Sequence, residues 1–200
     1  MGGPEASVPV ILRAYNDMPL FEETLAALAR QTRPVTVYVF DNASEDGSRE
    51  VAGRYAERIV DVPAGAYVPG RVLNAGMRVA EAPITVFLNA DCTPQHDDWL
   101  ERLLAPLEAP GGEEIAAVFG RQIPRPGGHP LHARDTDDAY GDGQRHASWK
   151  HFFSMAASAV RRADWLAMPF DESLQYSEDL DWTWRLRQRG RQVRYASDAI

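Results

Sequence analysis

Four short apolar runs recur along this chain: Val8 to Ala14, Val35 to Phe40, Ile84 to Leu88 and Ile115 to Gly120. Their inward–outward alternation is weak, as expected of strands covered on both faces. The segments between them carry helical spacing. Phe21, Leu25 and Leu28 share one helical face, with Asp17 as the cap and Pro19 in the first turn. Val51 and Tyr55 mark a second helix, Arg71 to Ala80 a third, and Trp99, Leu100, Leu103, Leu104 and Leu107 a fourth, capped by Asp97 or Asp98. Ile59 to Val62 adds a shorter strand. Strands alternating with helices predict a single α/β domain with a mostly parallel central sheet flanked by helices.

A chain of 200 residues fits one such domain. Its net charge of −8 excludes a general nucleic-acid binder, which needs a basic face. The single cysteine, Cys92, rules out an intramolecular disulfide and points to a reducing compartment. The first residues lack the basic and apolar regions of a signal peptide, and no apolar run approaches a membrane span. The expected location is the cytoplasm, with peripheral attachment to the inner face of the membrane left open. The chain ends as a further strand begins at Arg194, and is read as cut short there.

Gln122 to Ser148 breaks the alternation. It is rich in Pro, Gly, His and Asp and shows no period, the mark of a functional or disordered loop. Four histidines, His129, His132, His146 and His151, lie in or just after it. Their spacing does not suit zinc, and a solvated acceptor loop is the better reading. Trp149 to Val160 suits a strand or a helix. Arg161 to Leu166 reads as a short helix. Ser177 then caps another, with Leu180, Trp184 and Leu186 on its apolar side and Glu178 and Asp179 in its first turn, where the dipole favours carboxylates.

Ligands of open α/β sheets gather at the carboxyl ends of the strands. Ala14, Tyr15 and Asn16 follow the first strand, Asp41 the second and Asp91 the fourth. Singly, Tyr15 suits packing, Asp41 a turn and Asp91 a helix cap. Together they favour a site.

Four segments in order carry a resemblance: Asp41-Asn-Ala-Ser-Glu-Asp-Gly-Ser48, Gly70-Arg-Val-Leu-Asn-Ala-Gly76, Asn89-Ala90-Asp91 and Glu178-Asp179 with Arg185. They resemble the nucleotide-binding segment, the segment after it, the D-x-D metal motif and the acidic catalytic motif of inverting glycosyltransferases of family 2, which have the Rossmann-like GT-A fold. The resemblance implies that residues 1–121 form the nucleotide-sugar-binding half of the domain and 122–200 the acceptor and catalytic-base half. Asp41 would accept from the imide N–H of uracil or thymine, with Tyr15 stacked near the base beside Ala14. Arg71 would meet the diphosphate. Asn74 would either hold its loop or contact the nucleotide. Asn89, Ala90 and Asp91 would border the donor, and Asp91 would ligate Mg²⁺ or Mn²⁺. Asn89 stands where the motif has its first Asp. It keeps an oxygen and loses a charge.

The implied reaction is transfer of a sugar to a hydroxyl of a saccharide or lipid-linked acceptor. Asp179 would be the general base, Glu178 would bind the acceptor or anchor the helix, and Trp149 and His151 would line the acceptor site, with the core an equal place for Trp149. Arg185 would pair with Asp181 or meet a phosphate. No Q-x-x-R-W motif of the processive synthases is present. Phe119 to Pro126, with Pro69-Gly70-Arg71, is similar to rhamnosyltransferases acting on surface polysaccharides, which implies a dTDP- or UDP-linked donor, rhamnose among the sugars. A catalytically silent nucleotide-sugar-binding domain is the alternative. A sugar nucleotidyltransferase is disfavoured, because Arg13-Ala14-Tyr15-Asn16 stands where its Gly-rich basic loop belongs.

Overall fold

The computed structural model describes residues 6–141 and 152–200. Its centre is a seven-stranded sheet in the order β3-β2-β1-β4-β6-β5-β7. The strands are β1 (Val8–Ala14), β2 (Val35–Asp41), β3 (Arg58–Asp61), β4 (Ile84–Asn89), β5 (Ile115–Gly120), β6 (Ala157–Arg161) and β7 (Gln192–Ala196). All pairings are parallel except those of β6, which runs antiparallel to β4 and β5. The expected α/β architecture is therefore present, and both predicted halves of the chain contribute strands to one sheet.

The weak alternation of the strands follows from burial on both faces. Val10 and Leu12 enter one core with helices α1 (Leu20–Ala29), α2 (Ser48–Ala52) and α4 (Trp99–Glu108). Ile11 enters the other with α3 (Pro69–Ala80), α6 (Arg162–Ala167) and α7 (Glu178–Gln188). Phe21, Leu25 and Leu28 are buried as their spacing predicts.

Four local expectations are corrected. Within the stretch read as aperiodic, Pro130–Tyr140 forms helix α5, with Pro130 in its first turn and His129 Nδ1 accepting from Leu131 N. Only Tyr140 of that helix is buried, so its sequence carries no apolar stripe. Asp17 and Asp98 make no side-chain caps. The former accepts from Tyr15 N, and the latter pairs with Arg102. Ser177 adopts a left-handed conformation at φ 60° and makes no side-chain cap either. The buried face of α7 is also not the expected one. Glu178, Trp182 and Leu186, spaced four apart, turn inward, while Leu180 and Trp184 form the opposite, exposed series. Trp182 is fully buried, stacks against Phe170 and donates to Met168 O at 2.6 Å.

Candidate functional site

Strand order fixes where the site lies. From β1 the chain steps to β2 and β3 on one side, then to β4 on the other, so the order reverses beside β1. Such a reversal opens a crevice at the carboxyl ends of the strands. Register sets Ala14 level with Asp41 and Arg13 level with Asn89. A cavity of about 430 Å³ opens there, bordered by Ala14, Tyr15, Asn89, Ala90 and Asp91 as expected, and by Arg13, Asp17, Asn42 and Tyr67 in addition.

Two loops form its rim and are sewn together. Asn16 N donates to Ser44 Oγ, Asn16 Oδ1 accepts from Glu45 N, and Met18 N donates to Asp46 Oδ2. Tyr15 is left 60% exposed, its ring free at the mouth. Asp41 is buried just behind this rim. Its Oδ1 accepts from Ser44 N at 3.2 Å, and its Oδ2 lies 3.3 Å from Arg49, which also pairs with Asp61. Asp41 thus organises the turn, and the next residue, Asn42, reaches the cavity. The buried Asn42 Oδ1 has no partner among the described residues.

Arg13 is the residue that ties the site together. A charged group in the last turn of an apolar strand was the available signal, and the strand reading absorbed it. Arg13 Nη2 donates to Asn89 Oδ1 at 2.5 Å, and Nη1 meets Tyr67 Oη at 3.4 Å and Glu178 Oε1 at 3.7 Å. One guanidinium therefore links the cavity to the first turn of α7. The Asn89 oxygen that would substitute for a metal-binding carboxylate gives one of its two lone pairs to this contact. Burial, and after it the charge of Asp179, raise the Glu178 carboxyl above its ordinary pKa. Asp179 is half-buried and held by two N–H groups, Met155 N at 3.2 Å and Leu180 N at 2.8 Å. A carboxylate has about four lone-pair positions, so each oxygen can still accept a proton.

Two expected contacts lie elsewhere. Arg71 is exposed, sits 3.8 Å from Glu172 and does not border the cavity. Asn74 is buried and committed to the segment after α6. Its amide donates to Phe170 O and Glu172 Oε1, and its oxygen accepts from Trp165 Nε1 and Phe170 N. One turn earlier, Gly70 lets Asp171 approach so closely that an added Cβ would stand 2.1 Å from its carbonyl oxygen. Asn74 thus holds the segment at residues 170–172, not the loop of its own motif. Arg185 pairs with Asp181 at 2.8 Å, one turn apart. Trp149 and His151 lie outside the described residues.

For a divalent metal, the side chains at hand are hard oxygen donors. Asp91 is exposed at the end of β4, and Asp17 borders the same cavity. Burial raises the Asp17 carboxyl, and the negative charges of Asp91 and Asp46 raise it further, a repulsion that a cation would relieve. Among the described residues no cluster of three or more His, Cys, Asp or Glu gathers to hold an ion alone. This set fits Mg²⁺ or Mn²⁺, which bind through one or two carboxylates plus substrate phosphates.

A mostly parallel sheet that reverses order beside β1, with the crevice at that point, is the architecture of the GT-A glycosyltransferases. The mannosyltransferase PcManGT from Pyrobaculum calidifontis, solved with GDP-Man and Mn²⁺, superposes with a TM-score of 0.73 at 24% identity, over 98% of this chain and 56% of that one. S. aureus TarS in complex with UDP superposes with a TM-score of 0.72 at 19% identity, over 96% of this chain and 58% of that one. The chain belongs to glycosyl transferase family 2, whose model matches residues 10–167. It is 28% identical to glycosyltransferase AglE of Haloferax volcanii over 96% of its own length, and 27% identical to the O-antigen chain rhamnosyltransferase WbaN of Salmonella anatum over 96%. It spans 65% and 64% of the length of these two relatives.

Proposed function

We propose that this domain transfers a sugar, with inversion, from a nucleoside-diphosphate donor to a hydroxyl of a saccharide or lipid-linked acceptor. The observation that carries the reading is the Arg13 bridge, which links Asn89 at the β1–β4 crevice to Glu178, the neighbour of Asp179 in the first turn of α7. Residues 1–121 supply the donor half, with Tyr15 against the base, Asn42 and Asp41 toward its imide N–H, and Arg13 near the diphosphate. Residues 122–200 supply the base and the acceptor side, to which Glu178, Trp149 and His151 are assigned. The donor we infer is dTDP- or UDP-linked, and similarity to the rhamnosyltransferase WbaN supports rhamnose as the sugar.

The acceptor hydroxyl gives its proton to Asp179 as its oxygen bonds to the anomeric carbon. The bond from that carbon to the diphosphate breaks on the opposite side, and the nucleoside diphosphate departs. One displacement inverts the configuration. Asp91, with Asp17 beside it, would hold Mg²⁺ or Mn²⁺. When bound, the ion would neutralise charge growing on the leaving group. Among the described residues no helix is long and apolar enough to cross a membrane. A cytoplasmic enzyme meeting a lipid-linked acceptor at the membrane surface fits this reading.

The Arg13–Asn89 contact also favours a second reading. With the first motif oxygen uncharged and already accepting from a cation, the domain would bind nucleotide sugars without turning them over. Proton NMR of the anomeric signal decides between the two. Transfer is expected to convert an α-linked donor sugar to a β-linked product, or the reverse. Binding with neither transfer nor donor hydrolysis would support the silent domain.

A further inference from the structure

A second cavity, also about 430 Å³, lies on the far side of Asp91. Its roof is the segment from Arg121 to Arg125 and one face of α5, from which His129, His132 and Thr136 reach inward. Arg125 fastens the roof to the floor, donating to Asp91 O at 2.6 Å and Thr93 Oγ1 at 3.0 Å.

The charge of this cavity is opposite to that of the chain. Two guanidiniums, Arg121 and Arg125, line it against one carboxylate, Asp91, in a protein of net charge −8. Arg121 differs from the other roof cation. Its guanidinium lines the cavity and makes no hydrogen bond or ion pair among the described residues, whereas Arg125 is also 3.4 Å from Glu23. Arg161, by contrast, gives its Nε to Ile115 O and one Nη to Leu107 O and Gly112 O. A guanidinium fork matches phosphate oxygens.

We infer that this second cavity is a phosphate-binding subsite in which Arg121 is the principal donor. The anion has two chemical sources, a phosphate carried by the acceptor or the diphosphate of the donor. Assigning it to either rests on the transferase reading; the anion site itself does not.

The test is calorimetric titration of the protein with inorganic pyrophosphate in metal-free buffer, then with UDP, dTDP and GDP. Arg121→Gln is expected to weaken pyrophosphate binding about tenfold or more, the loss typical of a charge-assisted hydrogen bond. If the nucleoside diphosphates weaken in parallel, the anion is the donor's. If they bind unchanged, it belongs to the acceptor. Should Arg121→Gln fail to fold, the Arg121 Nε–H resonance of the unmodified protein, assigned by its disappearance in Arg121→Lys, gives the same answer. It is expected to shift on adding pyrophosphate. Equal affinity in both proteins, no pyrophosphate binding at all, or an unmoved resonance overturns the inference. Pyrophosphate binding without any nucleotide binding would instead overturn the transferase reading and leave this site standing.

Discussion

Asp179→Asn is expected to lower sugar transfer by about 10²- to 10⁴-fold, the usual contribution of a positioned general base. The amide is almost the shape of the carboxylate, so α7 keeps its place. It can still accept one of the two N–H groups, from Met155 or Leu180, that now hold Asp179. It cannot take the acceptor's proton. Nucleoside diphosphate affinity is expected to stay unchanged, because Asp179 does not border the cavity at the β1–β4 ends. Asp181 is the built-in control. It is a neighbouring carboxylate on the same helix, paired with Arg185, and Asp181→Asn should lose only an ion pair of the kind worth a few tenths of a kcal/mol, about 0.3–0.5. A fully active Asp179→Asn protein would remove Asp179 from the mechanism.

Asn74→Ala is expected to destabilise the domain by about 3 kcal/mol, since it strands buried partners that cost ~1–3 kcal/mol each when left unsatisfied. Trp165 Nε1, Phe170 N and Phe170 O all lose their partner, while Glu172 can turn to water. The segment they fix supports the floor of α7, because Trp182 packs on Phe170 and donates to Met168 O. Urea unfolding should therefore show a lower midpoint, and nucleotide affinity of the folded protein should not change. The opposite pattern, intact stability with lost nucleotide binding, would return Asn74 to the donor site.

The fold was readable because β1, β2, β4 and β5 are short apolar runs and the early helices carry a single buried stripe. Val10 and Leu12 face one core and Ile11 the other, which is why the strands show no clean alternation. Sequence reasoning failed where that stripe was absent or doubled. Helix α5 buries one side chain, so its only local marks were Pro130 and His129. Helix α7 offers two apolar series four residues apart, and only the Phe170 ring and Met168 carbonyl decide that Trp182 goes inside and Trp184 out.

Of the residues that topology pointed to, Asn16 and Asp41 do not line the crevice. Ala14, Tyr15 and Asp91 do and were legible from topology alone, as Asn89 and Ala90 were through the resemblance. Arg13 and Asn42 were not, since one hides in an apolar strand and the other in a turn. Gly70 and Asn74 were noticed for spacing that resembles a binding segment, yet in this structure their spacing serves a close approach of α3 to residues 170–172. Glycine beside a polar residue is a signal of close backbone contact, and it does not say with what.

The most direct test of the transferase account is titration of the protein with UDP, dTDP and GDP, each with and without Mn²⁺, alongside Asp91→Ala. The account predicts that dTDP or UDP binds, that Mn²⁺ tightens the binding, and that Asp91→Ala abolishes the tightening while leaving a weaker, metal-independent affinity. Binding that Mn²⁺ does not change, or an Asp91→Ala protein that responds to Mn²⁺ as fully as the unmodified one, would contradict the role given to Asp91. Failure of all three nucleotides to bind would contradict the donor site itself.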